Sequence, residues 1–288
     1  RGLPSAGAGA SVVTRPVGVT FVALEMDALA RASFEGLGPG FLHCILDITD
    51  AAYVVERSRG AGFVQLGTML VAPQTPEFAP YRQRWLKSWL PNDPAAMRDA
   101  LAREVGIVRA GLGAATAVCL SLGGFEIADQ VRAAEAFRQA GGDVVELNAH
   151  GGLQPFASQG YLGGLAFPAY RARLTSWAEA LARVDLPLLI KFNGGMDVDW
   201  PRLLADLAHV PVAGYHFNIR DGRTKAPNLG LVQALRPLVR GALLVSGYAW
   251  TAEAARQLFD LGADAVGVAQ PAREDGEFLP KLRAALAG

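Results

Sequence analysis

The sequence lacks several features that would point to a particular partner. Its 27 basic residues balance its 27 acidic residues, so it has no positive excess of the kind that nucleic-acid binding uses. No stretch reaches the roughly 18 consecutive apolar residues that a membrane-spanning helix needs. The first ten residues lack the basic start and apolar core of a signal peptide. These absences disfavour nucleic acid and membrane as partners. The chain begins at Arg1 without Met, so we expect its native N-terminus to lie upstream.

Cysteine is also scarce. The two cysteines, Cys44 and Cys119, lie far apart in apolar runs and form neither a CxxC pair nor a metal-ligand pattern. We interpret both as buried structural thiols rather than catalytic ones, and we predict no metal site. Unpaired cysteines are typical of a reducing compartment, which predicts a cytoplasmic protein.

What the sequence does contain is a regular alternation of apolar strands and helices. The chain has 288 residues, 51% of them hydrophobic, which is enough for one large core. Near-continuous apolar strands separated by helices are typical of a parallel sheet that is buried on both faces. Eight such strands are predicted, at 41–47, 62–67, 115–121, within 143–151, and at 186–192, 210–216, 242–246 and 264–268. The sequence therefore predicts an α/β protein with a single (β/α)8 barrel over residues 41–288.

Two segments depart from this alternation. Residues 1–40 contain two β-branched runs and a short helical stretch, which predict an N-terminal arm or hairpin and a short helix ahead of the barrel. Residues 68–92 contain four prolines and three large aromatic side chains, Tyr81, Trp85 and Trp89. Loops this long in a compact domain are usually functional. We interpret this one as a lid, or as a surface for homo-oligomer formation or another partner.

The carboxyl ends of the strands form the mouth of such a barrel, where its active site lies. On the fourth strand, Val144, Glu146 and Asn148 are expected to share one face, and Val145 and Leu147 the other. Two histidines and a lysine near strand ends favour a functional site over a purely structural one. The residues at the predicted strand ends are Asp47, Gly67, Thr68, Ser121, Asn148, His150, Lys191, Asn193, His216, Asn218, Gly247, Ala269 and Gln270.

Lys191 is the most informative of these residues, because it interrupts an apolar strand. A buried ammonium needs an anion or an electron-rich ligand, and Glu146 on the adjacent strand could supply the anion. The alternative is a buried ion pair without further function.

The ends of the seventh and eighth strands have the composition of a phosphate site. Small residues and backbone N–H groups at these two ends commonly hold a phosphate in such barrels, although glycine there is also ordinary turn chemistry. The residues concerned are Gly247, Tyr248, Ala269 and Gln270.

Several short motifs occur in order around the predicted barrel. The first is Leu46-Asp47-Ile48-Thr49-Asp50, which is similar to a first-strand pattern (A/G)-(V/I)-T-D. Residues 141–148 are similar to GAD-x-(I/V)-(D/E)-(I/L)-N, and Pro187 to Lys191 is similar to P-V-x-V-K. His216 and the segment from Gly262 to Val266 before the eighth strand complete the set. From Leu42 to Phe278, the chain thereby resembles the flavin barrels of the dihydrouridine synthase and dihydroorotate dehydrogenase superfamily, the synthases more closely.

The resemblance implies FMN across the mouth of the barrel, with its phosphate near the four residues of the predicted phosphate site. It also implies Lys191 near the pyrimidine edge of the flavin, and Asn148 and His216 in contact with flavin or substrate. The synthases have a cysteine as proton donor where this chain has Ala149 and His150, so His150 is the candidate to replace it.

Further departures from the family occur at other flavin-binding positions. The family's third-strand Gln aligns with Ser121, and its eighth-strand Gly-Arg aligns with Ala269 and Gln270. The synthases' C-terminal tRNA-binding domain has no counterpart in this sequence, and the neutral net charge also disfavours tRNA.

We therefore predict an FMN-dependent oxidoreductase that acts on CH–CH groups of a small molecule, next to a carbonyl or in a heterocycle. Asn148, Lys191, His216 and Ser121 are the predicted flavin contacts besides the phosphate site, and His150, His216 and Lys191 are the predicted catalytic residues. One alternative is a flavin-free lyase or isomerase for a phosphorylated substrate, with Lys191 as a Schiff-base amine. Another is a non-catalytic barrel subunit that uses the 68–92 loop as its contact surface.

Overall fold

A closed barrel of eight parallel strands, arranged in sequence order, forms the body of the protein. The computed structural model describes residues 40–72, 75–152 and 154–287. The predicted (β/α)8 barrel is confirmed, whereas the arm, hairpin and helix predicted ahead of it lie outside the described residues. The strands are β1 (Gly40–Leu42), β2 (Phe63–Val71), β3 (Ala117–Gly124), β4 (Val144–Ala149), β5 (Leu188–Asn193), β6 (Gly214–Asn218), β7 (Ala242–Ser246) and β8 (Ala265–Val268).

Helices connect the strands and cover the outside of the barrel. Several begin after a residue whose side chain accepts a hydrogen bond from a first-turn N–H, as Asp50, Asp93 and Thr251 do. In the described ranges, none is long and apolar enough to cross a membrane. The helices are α1 (Ala51–Arg57), α2 (Ala79–Arg84), α3 (Pro94–Leu112), α4 (Ile127–Gln139), α5 (Arg171–Leu181), α6 (Trp200–Asp206), α7 (Leu229–Leu235), α8 (Ala252–Asp260), α9 (Gln270–Glu274) and α10 (Phe278–Ala287). Short 3-10 helices occupy Pro76–Phe78, Phe156–Gln159, Leu162–Ala166, Pro168–Tyr170 and Arg236–Leu238.

Alternation of side chains along the strands separates two cores. Val145 and Leu147 point outward and belong to the large core between the sheet and the helices. Val144 points inward and packs with residues of the other strands into an apolar floor inside the barrel, which includes Phe41, Phe63, Cys119 and Leu189. Above this floor, the inward side chains become polar, and this change positions the candidate site.

The first strand is much shorter than the sequence predicts. It ends at Leu42, and residues 43–47 form a loop in which Asp47 has a left-handed backbone with a φ of 62°. The side chain of Asp47 accepts a hydrogen bond from the N–H of Lys87 at 2.7 Å, so it binds the following loop instead of facing the barrel mouth. The prediction of a strand over 41–47 was therefore wrong after Leu42.

The predicted loop over residues 68–92 contains regular structure. β2 continues to Val71, and α2 and a short 3-10 helix follow. The indole N–H of Trp89 donates to the carbonyl of Tyr81 at 3.2 Å, and the guanidinium of Arg82 lies 4.7 Å from the Trp89 ring centroid. The described parts of this segment, residues 68–72 and 75–92, thus contain regular structure, and the role of the segment as a lid or partner surface stays a prediction.

Candidate functional site

A layer of polar side chains crosses the barrel directly above the apolar floor. Strands β2 to β7 each contribute one inward side chain, and each is at most 2% exposed. Residues of this kind rarely lie inside a barrel unless they bind one another or a ligand. The polar layer consists of Gln65, Ser121, Glu146, Lys191, His216 and Ser246.

Glu146 is the centre of the polar layer. Its carboxylate accepts hydrogen bonds from Gln65 Nε2 at 2.7 Å and Ser121 Oγ at 2.8 Å, and it lies 2.9 Å from His216 Nδ1. Burial by itself would raise the pKa of Glu146, but His216, Lys191 and these hydrogen bonds outweigh it and lower the pKa to about 2. The carboxylate is therefore ionised at neutral pH although it is completely buried.

His216 links Glu146 to the end of β7. Its Nδ1 lies beside Glu146, and its Nε2 lies 2.8 Å from Ser246 Oγ. Ser246, His216 and Glu146 are thus connected in the order of a catalytic triad, with serine as nucleophile and histidine as base. Ser246 and His216 are both 0% exposed, however, so a substrate carbonyl cannot reach the serine hydroxyl. Burial, followed by the charge of Lys191, lowers the pKa of His216. A neutral His216 therefore holds Glu146 in place.

Lys191 has an incomplete set of partners. Its ammonium, 2% exposed, donates to Cys44 Sγ at 3.2 Å, and this is its one hydrogen bond to the residues that the structure describes. Burial acts to lower the pKa of Lys191, but the sulfur of Cys44 and the carboxylate of Glu146 outweigh it and raise the pKa. An ammonium has three N–H donors. Two of them are thus left for a ligand or water.

The direct ion pair between Lys191 and Glu146 that the sequence suggests is not formed. Among the described residues, Glu146 lies 2.9 Å from His216 Nδ1 and forms no ion pair with Lys191. Cys44 lies between the two charges, with its Sγ 3.2 Å from Lys191 Nζ and 4.0 Å from Glu146 Oε1. The sequence did not predict this position of Cys44, because residues 41–47 were assigned to a strand and not to a loop.

Asn148 and His150 lie above the polar layer at the end of β4. The amide of Asn148 donates to Thr68 Oγ1 at 2.8 Å and accepts from the backbone N–H groups of His150 and Gly151. Burial, followed by the charge of Lys191, lowers the pKa of His150 to about 3. At neutral pH, His150 is therefore a neutral imidazole, and its role as proton donor stays a prediction.

Two adjoining hollows open at the barrel mouth. The first, of about 200 Å³, lies over the ends of β6 to β8, and the second, of about 250 Å³, lies over the ends of β4 to β6. Both are lined by Asn218 and Arg220. The first brings together all four residues of the predicted phosphate site, Gly247, Tyr248, Ala269 and Gln270. The second contains His150, Asn193 and Lys225.

Arg220 and Lys225 are cations of the mouth that the sequence did not single out. The available signal was the run Arg-Asp-Gly-Arg-Thr-Lys from 220 to 225, directly after β6. Ser121, in contrast, is hydrogen-bonded within the polar layer, as is His216. Their contacts with a flavin stay predictions.

The backbone conformation of Gly247 requires a glycine whether or not a ligand is bound. Its φ is +96°, and a Cβ there would lie 2.6 Å from Asn218 Oδ1. The glycine after β7 therefore lets two strand ends approach each other.

The buried histidines predict loss of stability in mild acid. His216 and His43 both have lowered pKa values in the folded state, with burial as the main cause. Below about pH 6.5, the unfolded chain therefore binds more protons than the folded protein does. The contribution of these histidines to the free energy of unfolding is fully present above that pH and is lost as the pH decreases. Glu146 adds a further loss between about pH 4.5 and its folded pKa of about 2. We expect urea denaturation to show a lower free energy of unfolding at pH 5 than at pH 7.5.

The His216→Asn variant makes this test specific, because it removes one of the two histidines. It should lose less stability between pH 7.5 and pH 5 than the wild type does. Equal pH dependence in the two proteins would contradict a neutral buried His216.

Comparison with known proteins identifies the fold. No protein-family model and no curated protein matches the chain. Among solved structures, 726 chains match, so the fold is common and no single neighbour defines an activity. A mutant of FabK from Thermotoga maritima is 11% identical with a TM-score of 0.53, over 85% of this chain and 64% of FabK. The chain thus spans less than two thirds of FabK. A mutant tryptophan synthase α-subunit from Pyrococcus furiosus is 14% identical with a TM-score of 0.53, over 87% of this chain and 98% of that one. At these identities, the likeness shows the barrel fold alone.

Proposed function

We propose that the protein is an FMN-dependent oxidoreductase that acts on a small molecule, at a carbon–carbon bond next to a carbonyl or in a heterocycle. The observation that carries this proposal is the ammonium of Lys191, which is buried below the mouth with two N–H donors that have no acceptor among the described residues. A ring that gains negative charge on reduction is a suitable partner for such a cation. The motifs that resemble flavin barrels support the same conclusion.

The charge and the backbone groups of the mouth support FMN as the ligand. Gly247, Tyr248, Ala269 and Gln270 line one hollow and would hold the phosphate. Arg220 lies in the same hollow and supplies a positive charge that the eighth strand of this chain lacks. The second hollow shares Arg220 with the first and leaves room for a substrate.

When it is bound, FMN supplies the hydride chemistry, and the chain supplies position and charge. Cys44 and Glu146 together offset the burial of Lys191 and raise its pKa, and Lys191 would hold the pyrimidine edge of the flavin. His216 and Gln65 fix the orientation of Glu146. Asn148 shapes the β4 end through Thr68 and the N–H groups of the next turn. Substrate would lie beside His150 and Asn193 in the second hollow.

A Schiff-base enzyme remains the main alternative, because a lysine beside a barrel mouth is also the arrangement of an amine catalyst. The raised pKa of Lys191 opposes it, since the free amine that attacks a carbonyl is then scarce at neutral pH. Borohydride trapping of pyruvate on Lys191, located by peptide mass, would favour this alternative over the flavin enzyme.

The test of the proposed function is the visible spectrum of the purified protein. We expect protein that is purified or incubated with FMN to retain about one flavin per chain after gel filtration, with a shifted flavin absorption band. Riboflavin, which lacks the phosphate, should bind at least about tenfold more weakly if the Gly247 hollow holds that group. Protein that stays colourless and leaves the spectrum unchanged at about 1 mM FMN would overturn the proposal.

A further inference from the structure

Five aromatic side chains line a separate cavity at the mouth end of the barrel, outside both hollows. It measures about 240 Å³ and takes its lining from the segments that follow β2, β3 and β4. Sites for drug-sized ligands measure roughly 300–1,000 Å³, so this cavity suits a smaller molecule. We call it the aromatic cavity, and its rings are those of Phe78, Tyr81, Phe125, Phe156 and Tyr161.

The rings of the aromatic cavity form one connected group. The centroids of Phe78, Phe125 and Phe156 lie 4.5 to 5.2 Å apart, and these residues are at most 5% exposed. Tyr81 lies 4.7 Å from Phe156, Tyr161 lies 5.2 Å from Phe125, and both tyrosines are half-buried. A purely structural cluster would fill its own space, because protein interiors are close-packed. These rings instead line an open cavity.

Two carboxylates accompany the rings. Glu77 and Glu126 both line the aromatic cavity, and both are exposed. Glu126 stands directly before α4, but its side chain accepts no capping hydrogen bond from the helix. Across the part of the chain that the structure describes, neither carboxylate has an ion-pair or hydrogen-bond partner. Both negative charges are therefore available to a ligand.

The arginines near the aromatic cavity do not line it. Arg82 and Arg84 lie over tryptophan rings that also do not line it. The guanidinium of Arg173 lies 4.8 Å from the centroid of Tyr161 and donates to two backbone carbonyls. A cation thus already rests on one ring of this group. The residues that line the cavity supply negative charge and ring faces without a cation of their own.

We propose that the aromatic cavity binds the quaternary ammonium group of a small free molecule. Such a cation is attracted to the faces of aromatic rings, and nearby carboxylates add to the attraction. It has no N–H donors, so it loses no hydrogen bond when the rings replace water around it. The site does not depend on the proposed function. It gives the 68–92 segment a ligand-binding role through Glu77, Phe78 and Tyr81.

The test compares choline with 3,3-dimethylbutan-1-ol, which has the same shape but no charge. Saturation-transfer NMR on the full chain without FMN measures the binding of each compound through its methyl signal. We expect choline to bind with a dissociation constant of about 1 mM or lower, and at least about tenfold more tightly than the neutral alcohol. Vesicles of phosphatidylcholine present the same group at a lipid surface, and the protein should not sediment with them.

Variants of the lining locate the bound choline. The Glu77→Gln/Glu126→Gln double variant should bind choline about fivefold more weakly and the alcohol unchanged, because it removes only charge. Tyr81→Leu removes one half-buried ring and should weaken choline binding by about threefold. Glu135 is exposed on α4 outside the aromatic cavity, so Glu135→Gln should bind choline as the wild type does.

Four results would overturn the proposal. Choline that does not bind at about 10 mM, or that binds no more tightly than the alcohol, would exclude a cation site. A double variant with wild-type affinity would place choline elsewhere on the protein. Sedimentation with the vesicles would assign the cavity to a lipid surface instead of a small molecule. Because FMN is absent throughout, these results are independent of the flavin proposal and its visible spectrum.

Discussion

Glu146→Ala is expected to lower the free energy of unfolding by about 3–5 kcal/mol at pH 7.5, because it leaves the buried ammonium of Lys191 without the carboxylate that offsets its charge. Glu146 is 0% exposed and is the negative charge nearest to the ammonium of Lys191 in the polar layer. Its removal also leaves Gln65 and Ser121 without the acceptor of their hydrogen bonds. Urea denaturation followed by circular dichroism measures the loss.

Two control variants separate charge from shape in this test. Glu146→Gln keeps the size of the side chain and can still accept hydrogen bonds, so it should lose less stability than Glu146→Ala. Glu126 is exposed at the start of α4, and Glu126→Ala should change stability by less than about 0.5 kcal/mol. A Glu146→Ala variant as stable as Glu126→Ala would show that the polar layer does not depend on this carboxylate.

Lys191→Met is expected to weaken FMN binding by about 100-fold. A buried hydrogen bond to a charged group contributes about 1.5–3 kcal/mol, and each 1.4 kcal/mol is a tenfold change in affinity. Methionine has similar length and leaves no cavity, so the loss should come from the charge and its N–H donors. Titration of FMN fluorescence with each protein measures the dissociation constants.

The control for this prediction is another lysine. Lys281 lies on α10, where it pairs with Asp275, and Lys281→Met should bind FMN as tightly as the wild type does. Lys225 lines the second hollow at its exposed rim, and Lys225→Met should lose at most about tenfold in affinity. Equal affinity in Lys191→Met and Lys281→Met would contradict a flavin beside Lys191.

The sequence was sufficient to predict the barrel and the faces of its strands, because both follow from local apolar patterns. Val145 and Leu147 face the outer core, and Val144 faces the barrel floor, as the period of two requires. The same pattern placed Glu146 and Lys191 inside the barrel. The four residues predicted for the phosphate also line one hollow.

The pairing of these polar residues could not be predicted, because it depends on the stagger between strands. In β5, Lys191 stands opposite Asn148 of β4 and His216 of β6, whereas Glu146 stands opposite Leu189. Glu146 binds His216 two strands away, and Lys191 reaches the loop after β1. Adjacent strands alone suggested the direct pair of Lys191 and Glu146, but Cys44, which the sequence assigned to a strand, lies between the two charges.

The most direct test of the flavin site is a crystal structure of the protein grown with excess FMN. We predict the flavin ring across the barrel mouth, its phosphate beside Gly247 and Ala269, and Lys191 Nζ within hydrogen-bond distance of both the ring and Cys44 Sγ. A mouth closed by packed side chains, with the ammonium of Lys191 on protein atoms alone, would contradict the account.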